Sequence, residues 1–249
     1  MVFPLKKVDT KLMTTSIHGI VLENTRIELE LSEETFKPTL ITKMIAEHVA
    51  VPKGGAVLDL GCGVGVLAIF AARNGAGRVV AVDVMEQACK LAAHNIERNG
   101  VADRVTVKCG SLFDPVGSDS FDIIINDVSG VADEVARLSP WYPPTIPTGG
   151  TDGADVIVPM LLESPKHLHP GGVIYFPTGS ISNVARTLDA AKQAFGDNVA
   201  LVDEKDVPFC EEFYQDLDTM YRLKSEGIID FTSRRSRHLW QLSLYKAWI

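Results

Sequence analysis

The sequence predicts an α/β fold built around a parallel sheet. Three observations carry that reading. Short apolar runs rich in β-branched residues recur through the middle of the chain, segments of helical period separate them, and a glycine-rich turn leads out of the first run. The 249 residues are enough to bury a sizeable core without disulfides. A 46% hydrophobic and 22% charged composition excludes collagenous, low-complexity and mostly disordered chains. Basic residues number 24 against 32 acidic ones, a net charge of -8 that disfavours non-specific binding to nucleic acid or anionic lipid. The longest purely apolar run, Val66 to Ala72, falls far short of the roughly 20 residues that cross a bilayer. The opening MVFPLKKVDTKLM lacks the apolar stretch of a secretory signal, so no membrane partner and a cytoplasmic location are expected. Cys62, Cys89, Cys109 and Cys210 are irregularly spaced with no CxxC, which predicts reduced thiols and neither a zinc site nor a disulfide framework.

The elements follow in order. Residues 1–35 form an N-terminal extension whose TRIELEL alternation predicts a hairpin or small sheet, and the main domain runs from 36 to 249. After Pro38, the positions Leu40, Ile41, Met44, Ile45 and Val49 mark a helix with proline in its first turn. AVLDL (56–60), RVVAVD (78–83), RVTVK (104–108), FDIIIN (121–126) and GVIYFP (172–177) are the core strands. Ala88, Leu91, Ala92 and Ile96 recur at helical spacing between the second and third of these, and Gly100 supplies the stop. Near the end, HLWQLSLYKAW places Trp240, Leu242 and Leu244 on one face of a half-buried strand. It follows an insertion at about 207–236, which is placed to cover a pocket.

The chemistry centres on VLDLGCGVG, residues 57–65, where a strand carrying Asp59 turns through Gly61, Gly63 and Gly65 into a helix. Glycine suits both a tight turn and close approach of a ligand to the backbone. Asp83 stands at the tip of the next strand, 22 residues after Gly61, close to the spacing at which an acid binds a ribose diol. A dinucleotide fingerprint requires glycine or alanine at position 66, which is Val66. The chain reads D-x-G-x-G-x-G instead. A carboxylate at Asp59 facing the loop repels a pyrophosphate but suits a ligand with an ammonium and a sulfonium, which is S-adenosylmethionine.

On these residues the chain resembles the class I S-adenosylmethionine-dependent methyltransferases over about 36–177 and the last strand. The resemblance implies a Rossmann-like, seven-stranded mixed sheet with helices on both faces and the last strand antiparallel. It implies that Gly61, Cys62, Gly63 and Gly65 border the methionine half of the cofactor, that Asp83 binds the ribose hydroxyls, and that Val84 packs on adenine. Ser111 and Leu112, in GSLFD, stand where the family meets the adenine amine.

The acceptor site is expected beyond the fourth core strand, in FDIIINDVSG, because ligands of open α/β sheets bind outside the carboxyl ends of the strands. One branch, the release-factor glutamine and small-subunit ribosomal RNA guanine methyltransferases, reads NPPY there. FKPTLIT (36–42) and TGGTDGADVI (148–157) are similar to two other segments of that branch. Here Asn126 is followed by Asp127, Val128 and Ser129, so the catalytic candidates are Asn126, which also borders the cofactor, and Asp127 as general base or cation binder. Trp141 and Tyr142, in a loop dense in proline and glycine, and Arg234, in SRRSRH, are the substrate-binding candidates. His167 and His169 have no third ligand nearby and are assigned to the surface, and no metal is expected. Negative charge and a loop-lined pocket point first to methyl transfer onto nitrogen or oxygen of a small polar molecule. The alternatives are N-methylation of a protein side chain or RNA, an S-adenosylmethionine-binding protein without catalysis and, weakest, a nicotinamide dehydrogenase.

Overall fold

The computed structural model describes residues 16–32 and 35–249; the first part of the expected extension, residues 1–15, lies outside them. Four strands form a parallel core: β3 (Ala56–Leu60), β4 (Arg78–Asp83), β5 (Val105–Cys109) and β6 (Phe121–Asn126), with β7 (Leu168–Gly179) continuing it in parallel beside β6. The last strand, β10 (Arg237–Trp248), runs antiparallel between β7 and β8 (Val199–Pro208). The order β5-β4-β3-β6-β7-β10-β8 is a seven-stranded path, to which the short β9 (Thr232–Arg234) adds by pairing with β10. The chain winds outward from β3 to β5 and then returns to the other side of β3, so the order reverses between β3 and β6. Loops leaving those two strands diverge and open a crevice at their carboxyl ends.

Helices cover both faces. On one lie α1 (Leu40–His48), α2 (Val66–Arg73) and α3 (Glu86–Arg98), packed with Val57, Val79, Ala81, Ile123 and Ile125. On the other, α5 (Ile157–Glu163) and α6 (Val184–Phe195) pack on Leu58, Leu60, Val80, Val82 and Ile124. Period-2 alternation within each strand sends neighbouring residues to opposite layers. The α2 sequence VLAIFAAR is apolar almost all round, as a helix buried on every side must be. Its outer side is covered by a hairpin of β1 (Ser16–Leu22) and β2 (Thr25–Leu31), through Ile27, Leu29 and Leu31.

The free edge of β2 is met by two asparagines one turn apart, Asn95 on α3 and Asn99 capping its C-terminus. Asn99 accepts from the Glu28 backbone N–H at 3.1 Å and donates to the Glu28 carbonyl at 2.7 Å, and Asn95 does the same with Glu30 at 2.6 and 3.1 Å. Side-chain amides thus take the part of a third strand and satisfy an edge that would otherwise lose its hydrogen bonds on burial.

The insertion at 207–236 contains α7 (Glu211–Gln215), α8 (Leu217–Ser225) and β9. Phe209, Phe213, Met220, Leu223, Ile229 and Phe231 make a third apolar cluster with Val135 of α4 (Asp133–Leu138) and with Ile181, against Trp240. The insertion therefore packs beside the crevice; Val207, at its start, reaches the cavity wall.

Candidate functional site

The turn after β3 takes its three glycines through positive φ, at 73°, 51° and 85° for Gly61, Gly63 and Gly65. Each has a different neighbour. A Cβ on Gly61 would stand 2.8 Å from the Val128 nitrogen and 2.9 Å from the Asp127 carbonyl, so the turn lies directly against the loop after β6. One on Gly65 would meet Ala92 Cβ at 3.2 Å, where α2 starts against α3. One on Gly63 would meet no atom of the described residues within 4 Å beyond its chain neighbours. Gly63 borders a cavity of about 1080 Å3 at the carboxyl ends of the strands.

Asp83 ends β4 beside this turn. Its Oδ2 accepts from the Gly63 N–H at 2.9 Å and its Oδ1 from the Met85 N–H at 2.8 Å. Burial raises its pKa above the usual carboxylate range, and the N–H groups of Met85, Gly63 and Val84 pull it back; three donors leave part of the four-site acceptor capacity of a carboxylate for a ligand hydroxyl. Val84 follows with 57% of its surface exposed, an apolar side chain on the cavity wall. Ser111 and Leu112 line the same wall, Leu112 in a left-handed turn at φ 45°. Cys62 lines it as well, with a thiol held well above its usual pKa by burial and by Asp59.

Beyond β6, the Asp127 N–H donates to the Leu60 carbonyl at 2.9 Å, tying this loop to the glycine turn. Asp127 borders the cavity, and Thr42 Oγ1 donates to its carboxyl Oδ2 at 3.4 Å. Burial raises its pKa to about 7, with the Thr42 hydrogen bond opposing the shift.

Four expected site residues lie outside the cavity lining: Asp59, Gly65, Asn126 and Arg234. Asp59 alternates with Leu58 and Leu60, so its side chain enters the layer under α2, where it is fully buried and neither carboxyl oxygen has a hydrogen bond of ordinary length among the described residues. Burial, and next the charge of Asp127, raise its pKa to about 8, with the Ala68 backbone N–H acting against them. Neutral Asp59 is thus set back from the carboxylate role expected for it. Asn126 is also fully buried; its Oδ1 accepts from the Val128 N–H at 3.3 Å, shaping the turn, while Nδ2 has no partner among the described residues. Asn126, expected as a catalytic contact, thus stands behind the loop that carries Asp127. Gly65 likewise packs α2 on α3 and does not line the cavity.

The remaining walls come from two proline-bearing segments. Phe36, Pro38, Thr39 and Thr42 form one side, and FKPTLIT was their signal in the sequence, although no single residue of it stood out there. Trp141, 42% exposed, and buried Tyr142 form another. Tyr142 packs edge-on against Phe36 at 5.1 Å, its hydroxyl pairs with Ser129 Oγ, and it donates to the Pro147 carbonyl at 2.7 Å. Arg234, expected at the substrate, lies at the surface: its guanidinium pairs with Asp206 at 3.0 Å, and it is not part of the cavity lining. His167, expected at the surface, is buried and stacks on Phe113 at 4.3 Å, while its Nδ1 lies 3.0 Å from the Asp119 carbonyl oxygen; His169 is exposed beside Asp122.

These groups fit S-adenosylmethionine. Two carboxyls face one cavity beside a backbone cradle in which a Cβ would occupy ligand space, and an apolar Val84 is left exposed where a base needs a flat contact. Burial that penalises both carboxylates is relieved by a cationic ligand.

Comparison with known proteins agrees. Residues 35–176 match the family described as ribosomal protein L11 methyltransferase (PrmA). A ribosomal protein L11 methyltransferase of Pelotomaculum thermopropionicum is 46% identical over 116 residues, covering 47% of this chain and 36% of that protein. A ribosomal protein uL3 glutamine methyltransferase of Bradyrhizobium diazoefficiens is 38% identical over 144 residues, covering 56% and 43%. The chain thus spans less than half the length of these two relatives. The crystal structure of a ribosomal protein L11 methylase from Lactobacillus delbrueckii subsp. bulgaricus shares the fold at TM-score 0.53 and 17% identity, over 85% of this chain and 80% of that one.

Proposed function

The chain belongs to the ribosomal protein L11 methyltransferase (PrmA) family, and we propose that it is an S-adenosylmethionine-dependent N-methyltransferase acting on a side-chain nitrogen of a protein. One observation carries this reading: Asp83 and Asp127 border one cavity on either side of a glycine turn whose Gly63 leaves open space where a side chain would be. Net negative charge favoured a small polar acceptor in the sequence, but the related proteins named above act on ribosomal proteins, which supports a protein acceptor and, with it, the cytoplasm as the place of action.

Asp83 holds the ribose hydroxyls on the acceptor capacity left beside the Gly63, Met85 and Val84 N–H groups. Val84, with Ser111 and Leu112, borders the base, and the backbone from Gly61 to Gly63 borders the amino-acid end. When bound, S-adenosylmethionine supplies an electrophilic methyl group on a sulfonium. The chain's task is to place a nitrogen lone pair in line with that methyl and to receive a proton. Asp127, ionised over half of its population above pH ~7 and oriented by Thr42, accepts the proton at Oδ2 or Oδ1. Phe36, Trp141 and Tyr142 close around the entering side chain and exclude water.

Incubation with methyl-labelled S-adenosylmethionine and a bacterial ribosomal protein fraction tests the reading. Label transferred to one protein band, and mapped by peptide mass spectrometry to a side-chain nitrogen, is expected. Label confined to metabolites in a mixed lysate would move the acceptor back to a small molecule.

A further inference from the structure

Two thiols bracket the main chain of Asp83 and Val84. Cys89, in the second turn of α3, is buried, and its Sγ donates to the Asp83 carbonyl at 3.3 Å and lies 3.9 Å from the Lys108 carbonyl. Cys109 is exposed, pairs in register with Asp83 at the end of β5, and points its Sγ at the Val84 carbonyl at 3.9 Å. Cys89 Sγ therefore sits against the peptide that leads into Cys109, with both sulfurs on the outer side of the segment whose inner side forms the cavity wall. The cavity borders Asp83, Val84, Met85 and Ala88 on one side of this pair and Gly110 on the other. Nothing in the proposed reaction uses either thiol.

We propose that Cys89 and Cys109 form an oxidisable dithiol, a covalent modification site that weakens cofactor binding when its disulfide closes. The oxidant is a peroxide. The Cys109 thiolate attacks one peroxide oxygen, the O–O bond breaks, and the protonated leaving oxygen departs as water, giving a sulfenic acid. The Cys89 sulfur then attacks the Cys109 sulfur, the S–O bond breaks and a second water leaves; two thiols and one hydrogen peroxide become one disulfide and two waters. Exposure makes Cys109 the first to react. The Cys89 thiol is pushed up to about 12, first by burial and then by its contact with Cys109, and oxidation of Cys109 removes the second of these causes. Closing the disulfide draws α3 toward β5 across the Val84 peptide and so displaces the segment that borders the cavity. Linkage requires the converse: bound cofactor disfavours the disulfide by the same factor by which the disulfide weakens the cofactor.

The inference rests on the cofactor reading above, and the test separates the two. Purified reduced protein is treated with hydrogen peroxide, mapped by non-reducing peptide mass spectrometry, and titrated with S-adenosylhomocysteine by calorimetry before and after. A Cys89–Cys109 linked peptide, an affinity loss of at least about tenfold, and recovery with dithiothreitol are expected. Cys109→Ser, and separately Cys89→Ala in case the first loses packing, should bind as the reduced protein does and be insensitive to peroxide. A disulfide to Cys62, oxidation that stops at Cys109 alone, or a Cys89–Cys109 disulfide with unchanged affinity would overturn the proposal. Failure of the reduced protein to bind S-adenosylhomocysteine would instead remove the cofactor reading, while the peptide map would still decide whether the disulfide forms.

Discussion

The backbone N–H of Gly63 donates to Oδ2 of Asp83 at 2.9 Å, joining the turn after β3 to the tip of β4. That bond fixes a glycine with no side chain and a carboxylate with spare lone pairs at the edge of one cavity. Pre-organisation of this kind reduces what a ligand must order on binding.

The glycines of the turn separate binding from stability. In Gly63→Ala the new methyl meets no atom of the described residues within 4 Å beyond its chain neighbours, so folding loses only the left-handed strain at φ 51°, about 1–2 kcal/mol, while the methyl projects where the cofactor is proposed to lie. Calorimetry should find S-adenosylhomocysteine affinity reduced by more than about tenfold in a folded protein. Gly65→Ala adds a contact at 3.2 Å to Ala92 on top of similar strain, and should lower the melting temperature more than Gly63→Ala does.

Asp59 makes stability fall as pH rises. Its folded pKa of about 8 lies above the ordinary 3.8, so between these values the folded protein holds a proton that the unfolded chain has released. The unfolded state binds fewer protons there, and stability declines from about pH 4 to pH 8. Asp59→Asn, which carries no charge at any pH, should melt with a shallower dependence over that range and at a higher temperature than the parent at pH 8. Parallel melting curves for the two proteins would count against a protonated, buried Asp59.

Asp127 should set the acidic limb of the rate profile. A base must be ionised to act, so kcat/KM for the acceptor is expected to rise with pH and reach half its plateau near pH 7. Asp127→Asn should abolish that limb and lower the rate about 10²- to 10⁴-fold. A variant with an unchanged profile would assign the proton to another group.

Tyr142 joins the aromatic loop to Ser129 and Pro147 through its hydroxyl. Tyr142→Phe keeps the ring against Phe36 and loses those hydrogen bonds, a change of about 1 kcal/mol. Acceptor kcat/KM should fall about fivefold with cofactor affinity unchanged. Equal losses in both would place Tyr142 on the cofactor side.

The parts of this site that are local in sequence were readable from it. The glycine turn, Asp83 and Val84 occupy one strand–turn–helix–strand unit, where spacing and backbone geometry are coupled over about 25 residues. Strand periodicity also held what was needed to place Asp59, since its neighbours Leu58 and Leu60 face the other layer, but the charge pattern of the motif drew it toward the ligand. Thr42 and Asp127 are 85 positions apart and meet only through tertiary packing, so no spacing rule joins them. Arg234 shows the reverse limit: a cationic run does not say which anion it meets, and in the fold its guanidinium pairs with a surface carboxylate, Asp206. The acceptor class was not legible in composition, because net charge reports on non-specific attraction and says little about any one partner.

The most direct test is calorimetric titration of the reduced chain with S-adenosylhomocysteine, beside NAD and beside Asp83→Ala. One saturable site for the nucleoside thioether, none for the dinucleotide, and at least about a tenfold loss in the variant are the predicted results. Undiminished affinity in Asp83→Ala, or binding of NAD in place of the thioether, would contradict the site.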